Sequence, residues 1–124
     1  MGLNVNTVPI QGTFDIARGR NVLRNQLAAY HWPPTLWARG AALLTAMGEL
    51  ILSTQTTHAV PLEMAIVTEQ REIWMRCTVS LDNVSSEMLS TLEERIQRAA
   101  DHADVNRQLN QVCVMAHLYA TKGA

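Results

Sequence analysis

Glu49 is the one charge in the stretch Gly40 to Ser53, an otherwise small and apolar run. On a helical period it falls in a stripe with Ala42, Thr45, Ser53 and Thr56, mostly one turn apart, opposite an apolar face. Two readings fit that stripe. It is a solvated face, or it is the wall of a cleft in which the carboxylate meets a ligand or partner. Other reactive side chains are less well placed. His31, His58, His102 and His117 are scattered, and no HxxxH or HxxE spacing joins them. His102 and Asp104 are close, but two ligands make a poor metal site. Cys77 and Cys113 form no CxxC, and the chain has no GxSxG elbow. Gly12, Gly40 and Gly48 stand alone, so no Walker-type phosphate loop is present.

The elements that must position these residues read as follows. Leu3 to Ile10 is a first strand, at an edge because Pro9 cannot donate to a ladder. Gln11-Gly12 turns the chain, and Thr13 or Asp15 is expected to cap a first helix with Ile16, Leu23, Leu27 and Tyr30 on its apolar face. Arg18, Arg20 and Arg24 are its more polar residues. His31-Trp32-Pro33-Pro34 ends that helix, and Thr35 is expected to cap the next. Leu36, Gly40, Leu43, Met47, Leu50, Ile51 and Thr54 give the second helix its buried face, and it fades in the polar run 53–57.

Val60, Leu62, Met64 and Ile66 alternate with other residues, and so do Ile73, Met75, Cys77, Val79 and Leu81. A short charged link makes them an antiparallel hairpin, with Cys77 an inert inward thiol. Asp82-Asn83 is a turn signal, and Ser85 or Ser86 is expected to cap a third helix whose stripe is Met88, Leu89, Leu92, Ile96 and Ala99. The tail is expected to be helical from Val105 to residue 110 and then a closing strand. One sheet face needs cover, and only helices can supply it. The expected fold is therefore an α/β (α+β) two-layer sandwich with a mostly antiparallel sheet.

With 124 residues, 48% apolar and 17% charged, the chain suits one globular domain. A net charge of −1 gives no long-range attraction to nucleic acid or an anionic membrane, so the expected partner is a protein or a small molecule. Polar Asn4, Asn6 and Thr7 break any signal-peptide core, and the apolar run near Leu43 to Leu52 is too short to span a bilayer, which points to the cytoplasm.

The order of strand, helix, helix with Glu-Leu-x-x-Ser, and hairpin ending in Asp resembles the GHKL, or histidine-kinase-like, ATPase fold. Within it the chain is most similar to the small bacterial serine kinases that act as anti-sigma factors and switch proteins in partner-switching pathways. Asp15-Ile16-Ala17-Arg18-Gly19-Arg20, on through Val22, Leu23 and Arg24, resembles the opening of their first helix. Met47-Gly48-Glu49-Leu50-Ile51-Leu52-Ser53 resembles their N-box, and Leu81-Asp82-Asn83 sits where the next box begins. The resemblance implies a histidine-kinase-like domain over residues 1–124. In it Glu49 would activate water as the catalytic base, Ser53 would take the place of the magnesium-binding Asn, and Asp82 with Asn83 would meet the adenine.

The departures weigh against phosphoryl transfer. Ser53 lacks the reach of an Asn carbonyl, Val84 and Ser85 replace glycines, and no glycine lies between Gly48 and Gly123 to form a phosphate lid. The expected role is signalling by protein binding with a degenerate nucleotide site and no cofactor. The partner would be a sigma factor, an anti-sigma antagonist or another switch protein. One alternative is an active ATP- and magnesium-dependent serine kinase using Glu49. The other is a small structural or dimerisation module anchored by Trp32, Trp37 and Trp74.

Overall fold

A computed structural model describes residues 3–54, 57–82 and 84–120. The elements run β1 (Leu3–Ile10), α1 (Thr13–Ala29), α2 (Pro34–Ser53), β2 (Val60–Val67), β3 (Glu72–Ser80), α3 (Ser86–Ala99), β4 (His102–Gln108) and β5 (Gln111–Tyr119). All five strands join one antiparallel sheet in the order β1-β2-β3-β5-β4, with β1 and β4 at its edges. The helices cover one face, so the sandwich expected from the pattern is the architecture found.

Strand alternation decides which side chains the helices meet. Leu62, Met64 and Ile66 of β2, Ile73, Met75, Cys77 and Val79 of β3, and Val112, Val114, Ala116 and Leu118 of β5 are all buried. Their register sets Met75 against Met64 and Ala116, and Cys77 against Val114. Burial pushes the Cys77 thiol up to about 12, with a smaller contribution from Cys113. Cys113 pairs with Thr78 on the opposite sheet face, so the two thiols point apart.

Helix ends follow local chemistry, though not always the residue expected. Gly12, not Thr13, is the N-cap of α1. Asp15 lies in the first turn and reaches back to accept from the amides of Gln11 (2.8 Å) and Gly12 (3.0 Å), which hold its carboxyl below the usual range. Thr35 does not cap α2. That helix opens on Pro33 and Pro34, whose missing amide would be unpaired there anyway. Ser85 does cap α3, its hydroxyl accepting from the Met88 amide at 3.1 Å. Leu89, Leu92 and Ile96 are buried as expected, while Met88 is 46% exposed.

The tail is the main correction. Residues expected to be helical up to 110 instead form β4, which turns through Leu109-Asn110 and pairs with β5. Ala103 and Val105 sit opposite the buried Ala116 and Val114 and pack on the core. β5 would otherwise leave a free edge beside a buried face, and β4 satisfies its amides and carbonyls.

α2 is the central helix, packed between α1 and α3. Its contact with α1 depends on absent side chains. A Cβ added at Gly40 would stand 2.7 Å from Leu23 Cδ2, and one at Gly48 would stand 2.6 Å from Ile16 Cγ1. Close approach is what these two glycines supply.

Candidate functional site

Glu49 leaves α2 toward α3, where the Arg95 guanidinium donates to its carboxylate. The two side chains are 42% and 43% exposed, so Glu49 is neither a free surface charge nor an uncommitted cleft residue. It ties two helices together at the surface. The Ser53 hydroxyl, one turn on, donates to the Leu50 carbonyl at 2.6 Å and is satisfied within its own helix. Asp82 is exposed in the link between β3 and α3, with its amide 3.4 Å from Ser80 Oγ. No hydrogen bond joins Asp82 to Glu49 or Ser53 among the described residues. Thr56 and Asn83 lie outside the described residues.

A better-formed concavity lies at the other end of α2. α1 closes in a Schellman turn: the His31 amide donates to Ala28 O (3.1 Å) and the Trp32 amide to Leu27 O (3.2 Å), with His31 at φ 57°. Glycine is usual there, so a histidine in the left-handed region carries backbone strain. The turn brings the Trp32 amide back to the Leu27 carbonyl, and Pro33-Pro34 at once start α2. The result is a groove of about 430 Å³ lined by Arg24, Leu27, Ala28, Trp32, Pro33, Pro34 and Trp37. That volume is in the range of ligand-sized clefts, roughly 300–1,000 Å³.

Two cations lie against the tryptophans of this groove, and Arg24 is part of its lining. The Arg24 guanidinium lies 5.5 Å from the centre of the Trp37 ring. Arg71, from the β2–β3 turn, lies 5.8 Å from that of Trp32, and the Tyr30 ring tilts against the same indole at 5.9 Å between centres. Arg71 is the second non-glycine residue in the left-handed region, at φ 52°. Trp37 Nε1 is buried without an acceptor among the described residues.

The uncovered sheet face carries a third set of groups. His117 of β5 pairs with the nearly buried Glu72 of β3, and His102 of β4 pairs with Asp104 at 3.1 Å. The two imidazoles face each other across the β4–β5 ladder, 5.6 Å between centres. Among the described residues no three such groups converge to hold a metal ion. Trp74 lies on this face beneath Arg76, which also pairs with Glu63.

No family model matches the chain, and no curated protein matches it. Among solved structures, its fold is similar to that of a chain in the SiaB–SiaC complex from Pseudomonas aeruginosa. The TM-score is 0.65 and the identity 14%, over 93% of this chain and 89% of that one. At that identity the likeness is one of fold, and function has to be argued from the sites themselves.

Sequence spacing located part of these sites. Glu49, Trp32 and Trp37 were singled out by type and position, while Arg71 and Arg95 were not. Arg95 meets Glu49 from a different helix, and Arg71 reaches Trp32 from a strand turn. Their only sequence signal is that each is an arginine in an amphipathic or turn segment.

Proposed function

We propose that this chain works by binding another protein in a bacterial, cytoplasmic signalling pathway of the partner-switching kind, on a histidine-kinase-like scaffold whose nucleotide use is lost or weakened. The observation that carries this reading is the fold shared over 93% of the chain with a protein crystallised in a two-protein complex. The state of the nucleotide-site residues supports it. Glu49 is engaged by Arg95, Ser53 is turned to its own helix backbone, and no glycine follows Gly48 until Gly123. A general base must be free to reach its proton, and phosphoryl transfer needs a cradle that neutralises charge. Partners in keeping with this reading are a sigma factor, an anti-sigma antagonist or a further switch protein. No helix among the described residues is long and apolar enough to cross a membrane.

Calorimetric titration of the purified chain with ATP and ADP in magnesium tests the nucleotide half of the proposal. The expected result is no binding tighter than about 1 mM, since few preorganised contacts remain to offset association costs. Micromolar, magnesium-dependent binding would overturn it and favour an active serine kinase using Glu49.

A further inference from the structure

The arginines of this chain fall into three groups. Arg18, Arg39, Arg76, Arg95, Arg98 and Arg107 face carboxylates. Arg20 donates to Thr45 Oγ1 at 2.9 Å. Arg24 and Arg71 are different: among the described residues neither forms an ion pair, and each lies instead against a tryptophan of the same corner. Two cations without an ion pair thus meet the aromatic residues of one corner: Arg24 lines the α1–α2 groove, and Arg71 stands against Trp32, which also lines it.

From this we infer that the groove is the docking site for a protein segment that carries a bulky apolar side chain flanked by carboxylates. The inference rests on the protein-binding reading above and names the chemistry of the partner. Leu27, Ala28, Pro33, Pro34 and the indoles of Trp32 and Trp37 offer an apolar floor for the anchor. Tryptophan and arginine are also the residue types that concentrate binding energy at interfaces. An indole already strips water from one face of each guanidinium. The planar fork stays open to a carboxylate, which it meets through two parallel N–H···O bonds. The corner is built in advance by the Schellman turn and the two prolines, so little ordering is left to do on binding.

A basic segment would be repelled. Single-stranded nucleic acid, which also stacks on tryptophan, needs a positive track along its backbone, and two arginines on a chain of net charge −1 do not make one.

The test is selection of a random peptide library displayed on phage against the full chain. Synthetic copies of the selected peptides would then be titrated by fluorescence anisotropy, with oligo(dT) as a second probe. The expected winners carry Trp, Phe or Leu beside Asp or Glu, and they quench the tryptophan emission. Arg24→Gln with Arg71→Gln should weaken them by about tenfold or more, the scale of losing charge-assisted contacts. Both arginines are exposed residues, and circular dichroism would confirm that the variant folds. Winners that are basic or uncharged, winners that bind the double variant equally well, tighter binding of oligo(dT), or no winners at all would each overturn the proposal. The ATP titration separates the two levels. Micromolar nucleotide binding strikes the function reading, whereas a failed peptide selection with no nucleotide binding strikes only this groove.

Discussion

α2 is held by its two neighbours in different ways. Toward α1 it presents Gly40 and Gly48, and Leu23 and Ile16 fill the space where side chains would be. Toward α3 it presents Glu49, paired with Arg95, and near its start Arg39 pairs with Asp101 just beyond the end of α3. The first contact is one of volume, with no slack for an added carbon. The second has charge at its margin, where longer side chains and water can adjust. Close packing is intolerant of small changes, whereas an exposed ion pair such as Glu49–Arg95 contributes little and is screened by salt, and the Arg39–Asp101 pair, with its carboxylate nearly buried, stands between the two.

The largest effect is expected on the glycine side. Gly48→Val would force a branched side chain into Ile16, a cost near the top of the ~1–3 kcal/mol typical of overpacking. Adding Ile16→Ala should recover part of that loss if the clash is the cause, and a double-mutant cycle in urea measures the coupling. Additive losses would show that the two residues do not meet.

Next comes Asp101, which is 8% exposed at its side chain and accepts from both Arg39 (2.5 Å) and the Tyr119 amide (2.9 Å). Asp101→Ala should cost roughly 2 kcal/mol by leaving the part-buried Arg39 guanidinium and Tyr119 amide without this acceptor, and Asp101→Asn less, because an amide oxygen can still accept. Equal losses for the two variants would place the stabilisation in charge alone.

The smallest effect is expected at the exposed pair. Glu49→Ala should change stability by no more than about 1 kcal/mol, and the difference should shrink in added salt. A larger, salt-insensitive loss would mean that the margin of the α2–α3 contact is as unforgiving as the glycine side. The same variant, compared with Glu94→Ala in partner capture, reports whether Glu49 serves binding as well as helix pairing.

Local periodicity made much of the fold legible. The buried face from Leu36 to Thr54, the alternation of β3 that buries Cys77, the β2–β3 hairpin and the Ser85 cap each depend on residues a few positions apart. Solvent and backbone sterics read that pattern directly. The helix starts were harder, because Gly12 and the two prolines compete with Thr13 and Thr35 for the same positions.

Tertiary structure decided the rest. Residues 102–108 have only Ala103 and Val105 as inward apolar residues, too few to outweigh a helical pattern until β5 offers an edge to pair with. The candidate sites depend on the same kind of long-range closure. Nothing near Glu49 in the sequence specifies Arg95, and nothing near Trp32 specifies Arg71. Each pairing exists because the packed core fixes where separate elements end, and side chains far apart along the chain then share one small volume.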